Sequence, residues 1–318
     1  MRAFVAVCLL LGNACTRTVP PSVAPSTAPP PSAGAPWTAT RDADHPLVGH
    51  VWSVAGRGWV TPDGLFDALA TARFVTLGEK HDAPDHHRLQ AAVLHGLALR
   101  GVRPAVAVEM IAVEQQAAVD GAAPEDPDAI GEAVGWATSG WPPFATYRPL
   151  FVEVRSHWLP LVGAGVTRAK VQSLLGKDAP PLAAEIRAKY HLDEALPDQA
   201  GLEAELLDSH CGALPKDAVA RMAAAQRLRD GVMAETMASR DQAVLIAGAG
   251  HARRDRGVPW ILAKMRPDAA VLSVAFVEVQ TSYLSADAYG AMFHAKALPF
   301  DYVWFTPRLD DDDPCKPK

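Results

Sequence analysis

The sequence predicts an α/β protein with a parallel-rich central sheet flanked by helices. Four short apolar runs lead to that expectation: Arg73 to Gly78, Pro104 to Glu109, Ala243 to Gly248 and Ala270 to Val279. They carry almost no polar residue before their ends, as strands covered on both faces do. Sequence of helical character follows them, and alternating strand and helix builds helical layers over a sheet.

Taken in order, the 318-residue chain opens on Arg2, an apolar run from Ala3 to Leu11, and Gly12-Asn13-Ala14-Cys15. A basic start, an apolar stretch and small residues before a cut form a signal peptide, here residues 1–14. The run is too short to span a bilayer, which needs about 20 apolar residues. Small residues before Cys15 resemble a bacterial lipobox, so lipidation of Cys15 is expected, with plain secretion as the alternative. Residues 15–40 are rich in Pro, Ser, Ala and Thr without periodicity, which suits an extended, solvated tether. Residues 41–318 form the globular domain. Within it, Asp85 is placed to cap a helix running to about Arg100. Residues 113–240 read as a helical insertion or cap, with the longest helix from Pro215 to Arg240.

The net charge of −6 and the lack of a basic stripe exclude a nucleic-acid partner. Of four cysteines, Cys8 leaves with the leader and Cys15 is set for lipid. Cys211 and Cys315 remain, and in an oxidising compartment they suggest one disulfide, against two buried thiols as the alternative.

Polar residues gather where the predicted strands end. The first strand runs into Gly78-Glu79-Lys80-His81-Asp82 and then His86-His87, the second ends at Glu109, and the third passes through Gly248-Ala249-Gly250 to His251. Open α/β sheets bind ligands at the carboxyl ends of their strands. Two carboxylates and two imidazoles there could hold a metal, share protons or polarise a ligand. The structural alternative pairs Glu79 and Glu109 with Arg73 or Arg103 and leaves one of His86 and His87 exposed.

A second gathering is aromatic: Trp136, Trp141, Phe144, Tyr147, Phe151 and Trp158, interrupted by Pro142 and Pro143. Rigid aromatics in a loop suit a large flat apolar ligand, while a packed cap over the sheet is the other reading. A tyrosine phenolate is one of the few oxygen ligands to haem iron.

The segment Leu77 to Gln90 (LGEKHDAPDHHRLQ) resembles the first motif of the ChaN-like haem-binding uptake proteins of the Tiki superfamily. Val108-Glu109-Met110 with Gln115-Gln116, Trp136 with Trp141 and Tyr147, and Ser209 to Gly212 are similar to later blocks. So are Gln226 with Asp230, Gly250 to Pro259, and Asp301 to Pro307. The likeness spans about residues 47–307, with one departure at Gly165-Val166-Thr167. It implies a surface lipoprotein of the cell envelope, anchored most simply in the outer membrane, that assists haem or iron acquisition. It further implies haem as cofactor, iron at Tyr147, and Trp141, Phe144 and Arg148 around the porphyrin. A homodimer around stacked haems and an outer-membrane haem receptor would be the partners. The wider superfamily includes hydrolases, so the alternative is a metal-dependent hydrolase using Glu79, His81, Glu109 and His251 with a divalent metal.

Overall fold

The computed structural model describes residues 37–123, 125–310 and Cys315; the leader, Cys15 and the tether to residue 36 lie outside the described residues. Eight strands are laid down along the chain. They are β1 (Val51–Ser53), β2 (Gly58–Val60), β3 (Phe74–Glu79), β4 (Ala105–Ala112), β5 (Leu161–Gly165), β6 (Ala243–Gly248), β7 (Val271–Glu278) and β8 (Tyr302–Thr306). All join one sheet in the order β2-β1-β8-β7-β3-β6-β4-β5. β1 is antiparallel to β2 and to β8, and every other neighbouring pair is parallel. The predicted fold class is the observed one, and the four predicted strands are β3, β4, β6 and β7.

Between the strands run α1 (Pro62–Ala70), α2 (Pro84–Leu99), α3 (Gln116–Gly121), α4 (Asp128–Ala133) and α5 (Phe144–Ser156). They are followed by α6 (Arg168–Leu175), α7 (Ala184–Lys189), α8 (Gln199–Asp208), α9 (Lys216–Ala238) and α10 (Val258–Met265). Successive strand residues face opposite sides, which sorts the core into two layers. Val75, Leu77, Val106, Val108, Val244 and Ile246 pack under α1, α2 and α5. Phe74, Ala107, Leu245 and Ala247 pack against Met233 and Met237 of α9 and Ile261 and Leu262 of α10. Each fully buried Leu, Ile, Val or Phe contributes about 1.5–3 kcal/mol by removal from water.

Two local expectations change. The segment 113–240 is helical apart from its loops and β5, which supplies one edge strand of the sheet; its two glycines and five residues give no periodic signal. Asp85 does not cap α2, whose N-cap is Ala83 without a side-chain bond. Its carboxylate instead accepts the N–H groups of Thr38 and Ala39 and pairs with Arg88, which ties residues expected in the tether to the folded domain. Cys211 and Cys315 are joined by a disulfide across 104 residues, as the cysteine count suggests.

Candidate functional site

The register of the parallel strands puts the predicted polar residues at one sheet edge. Glu79 of β3 lies opposite Gly248 of β6, and the Gly248 N–H donates to Glu109 Oε2 at 2.9 Å. Glu109 is not the last residue of its strand. β4 continues to Ala112, and its pairing with β5 shifts register between Val108 and Ala112, an irregularity of the kind that re-aims a side chain at a site. Gly165 makes that pairing fit, because a Cβ there would collide with the Glu109 carbonyl oxygen.

Glu79 is the hub of one half of the site. Its Oε1 accepts the Tyr147 hydroxyl at 2.8 Å and His81 Nδ1 at 2.9 Å. Its Oε2 accepts the Gln90 amide at 2.6 Å and His87 Nδ1 at 3.1 Å. Burial alone would raise its pKa, but the charge of His87 and the hydrogen bonds from His81 and His87 hold it well below the ordinary carboxylate range. His87 Nε2 faces the His81 carbonyl, so both ring nitrogens have oxygen partners, and the ring stacks on Tyr147 with centroids 3.7 Å apart. With Nδ1–H given to Glu79, His81 turns Nε2 towards the cleft. Burial would lower its pKa, and the contacts with Glu79 and Glu109 outweigh that and raise it.

The other half is built on Glu109. His251 Nε2 lies 3.4 Å from Glu109 Oε1, and its Nδ1 meets Asp230 Oδ1 of α9 at 2.6 Å. Burial would depress the imidazole, yet the Glu109 and Asp230 charges push it up to about 10. Glu109, against its own burial, is drawn down to about 2 by His251, His81 and the Gly248 N–H, while burial raises Asp230. His81 Nε2 stands 3.8 Å from Glu109 Oε2 and so links the two halves. Both cleft-facing imidazoles are oriented by a carboxylate on Nδ1, the arrangement that fixes the tautomer of a ligating or proton-moving histidine.

His81, Glu109 and His251 floor a cleft of about 550 Å³, within the range of small-molecule sites. Trp141, Met110, Met233, Val134 and Val166 supply apolar wall, and Arg168 and Arg229 supply cations. The His81 and Trp141 rings lie 4.8 Å apart.

A family model described as haem-binding uptake, Tiki superfamily, ChaN, matches residues 65–262. The chain belongs to this family. The matched span contains Glu79, His81, His87, Glu109, Tyr147, Asp230 and His251, so the whole strand-end site is family domain. Among solved structures, ChaN of Campylobacter jejuni is similar with a TM-score of 0.63 and 18% identity, over 80% of this chain and 95% of that one. The type III effector HopBA1 is similar at 0.41 and 13% identity, over 77% and 93% of the two chains. The erythromycin esterase EreC is similar at 0.41 and 12%, over 80% and 95%. No curated sequence relative matches the chain.

Within this ChaN-like domain the residues expected around the porphyrin disperse. Trp141 lines the cleft. Tyr147 is fully buried, its hydroxyl committed to Glu79 and 3.1 Å from the His81 carbonyl, and burial with the Glu79 charge pushes its pKa far up. No phenolate faces the cleft in this arrangement. Arg148 turns outward to pair with Asp128 at 2.8 Å. Phe144 stacks on Phe151 and abuts Trp136, so much of the aromatic stretch is packed cap. His86 and His87 are both buried, not one exposed. The divalent-metal alternative finds no converged ligand set at the strand ends: the described residues that bring three ligand atoms within 4.8 Å lie elsewhere.

Sequence reading missed the roles of His87, Gln90 and Asp230. His87 and Gln90 sit three apart on α2, so one helical face carries two polar residues towards Glu79. That spacing was the available signal. Asp230 was marked only by its place, with Gln226, in a block similar to the family, and nothing in the sequence tied it to His251.

Proposed function

We propose that this chain binds haem as cargo in the strand-end cleft. The observation that carries the reading is the family match over residues 65–262. The cleft chemistry supports it: an apolar wall with Trp141 for the porphyrin face, Arg168 and Arg229 for the propionates, and an imidazole for iron. His81 is the ligand that needs no rearrangement, because Glu79 holds its Nδ1–H and leaves Nε2 towards the cleft. A carboxylate on Nδ1 also makes the imidazole a stronger donor. Tyr147 would first have to leave Glu79.

The leader, Cys15 and the tether support placing the protein in the cell envelope on a lipid anchor, where it would assist haem or iron acquisition and take cargo from an outer-membrane receptor. ChaN of Campylobacter jejuni binds haem cofacially, which supports two copies of this chain meeting over stacked haems.

Haemin titration of the purified protein, followed by visible absorption, tests the reading. A saturable Soret shift is expected. His81→Ala should abolish it or convert it to a non-imidazole spectrum, while Tyr147→Phe should retain the wild-type bands. The reverse pattern returns the iron to Tyr147, and no spectral change with the wild type refutes haem binding. A second reading, acid–base hydrolysis, is favoured by the imidazoles on both sides of Glu109. It predicts a hydrolytic activity that Glu79→Gln and His251→Ala silence.

A further inference from the structure

Helices α2 and α5 run side by side away from the cleft. His87 and Tyr147 stack at the cleft end. Eight residues further along α2, about 12 Å at 1.5 Å per residue, His95 meets Glu153 and His157 at the end of α5. His95 Nδ1 is 3.0 Å from Glu153 Oε2, His157 Nε2 is 3.1 Å from the same oxygen, and the two ring nitrogens are 3.2 Å apart.

We propose that His95, Glu153 and His157 form a binding site for a divalent transition-metal ion, with zinc as the representative, separate from the haem cleft. Three electron-pair donors stand in a nearly equilateral triangle. An ion bonded at about 2.0–2.1 Å to each corner requires edges of about 3.3 Å in a tetrahedron and about 2.9 Å on an octahedral face. The observed edges fall between those values, so an ion fits just above the triangle with little movement of any side chain. Without an ion, two ring nitrogens and one carboxylate oxygen are left to share hydrogens within one tight triangle. Two imidazoles and one carboxylate are a donor set for zinc and its neighbours, not for calcium or magnesium. Helical geometry supplies the preorganisation, since Glu153 and His157, the C-cap of α5, are four apart and face the same side. The side chains of Glu153 and His157 are 23% and 20% exposed and that of His95 is 50% exposed, which leaves an open side for water as a further ligand. An ion there ties α2 to α5 and so braces the helices that carry His87 and Tyr147 to Glu79.

The test uses the full chain, stripped with chelator, titrated calorimetrically with Zn²⁺ and followed by visible absorption with Co²⁺. One equivalent of each is expected, with cobalt ligand-field bands. His95→Ala and His157→Ala should each weaken binding beyond the roughly 10- to 100-fold that loss of an outer partner costs. Glu153→Gln, which keeps shape and hydrogen bonding, should weaken it at least about tenfold, and His81→Ala should leave it unchanged. His95 is half exposed, so a near-native melting temperature for His95→Ala certifies its fold. Wild-type zinc stoichiometry and cobalt bands in both histidine variants overturn the proposal. So does an equivalent lost only in His81→Ala, which moves the ion to the strand ends.

Discussion

Acidification should destabilise this protein through His86 before the lowered carboxylates Glu79 and Glu109 titrate. The imidazole is 1% exposed. Its Nδ1 accepts the Lys80 N–H at 3.0 Å, so its Nε2–H donates to Thr306 Oγ1 at 3.0 Å. A second proton would break the Lys80 contact and place a charge beside His87. Burial and that neighbouring charge lower its pKa from 6.5 to about 3. The unfolded chain therefore takes up the proton first as pH falls. The contribution is whole above pH 6.5 and is lost on the way down to about 3, at about 1.4 kcal/mol per pH unit. That is about 2 kcal/mol between pH 6.5 and 5, and up to about 5 kcal/mol in all. For a domain of this size 2 kcal/mol corresponds to roughly 4–8 °C in melting temperature. Glu79 and Glu109 have lowered pKa values, so their stabilisation is lost only below about pH 4.5 and falls outside this window. His251, raised to about 10, acts in the opposite sense: its contribution is whole below pH 6.5 and is lost as pH rises towards 10. The melting temperature should thus peak near pH 6.5. His86→Gln keeps a donor and an acceptor without a titrating ring; it should be less stable at pH 7 and should flatten the limb from pH 6.5 to 5. A wild-type melting temperature that is level from pH 7 to 5, or an unchanged slope in His86→Gln, refutes the reasoning.

Gly248→Ala should damage the site and spare the fold. The new Cβ would stand 2.9 Å from His81 Nε2, so haemin affinity should fall at least tenfold while far-UV circular dichroism is unchanged; equal affinity would show that His81 is not the ligand. Replacing Cys211 and Cys315 together by serine removes a crosslink over 104 residues. Loop entropy sets its worth at about 4–5 kcal/mol and common experience at 2–4; a denaturation midpoint equal to the wild type under non-reducing conditions would show that the bond contributes nothing.

The sheet was legible only where burial repeats along one strand. β3, β4, β6 and β7 are covered on both faces, and their unbroken apolar runs announce it. β1 and β2 have three residues each and take their conformation from pairing with each other and with β8. β5 is five buried residues inside a helical stretch, held by β4 and by the close approach that Gly165 permits. Such strands are made by their neighbours, and local propensity carries little trace of them.

The site divides in the same way. By itself the sequence determined the α/β class, the glycines that end β3 and β6, and the arrival of Glu79, His81, Glu109 and His251 at one edge. The place of each residue at the end of an apolar run decides those, and that is written in local pattern. Only the tertiary structure decided which partners those groups meet. Packing of α2 against β3 delivers His87 and Gln90 to Glu79, and α9 brings Asp230 under His251 from 21 residues away. The turn of α5 sends Tyr147 inward to Glu79 and its neighbour Arg148 outward to Asp128. Adjacent residues on a helix point about 100° apart, so which one enters a site depends on how the helix docks. Docking is settled by the sum of many buried contacts, and no single motif records it.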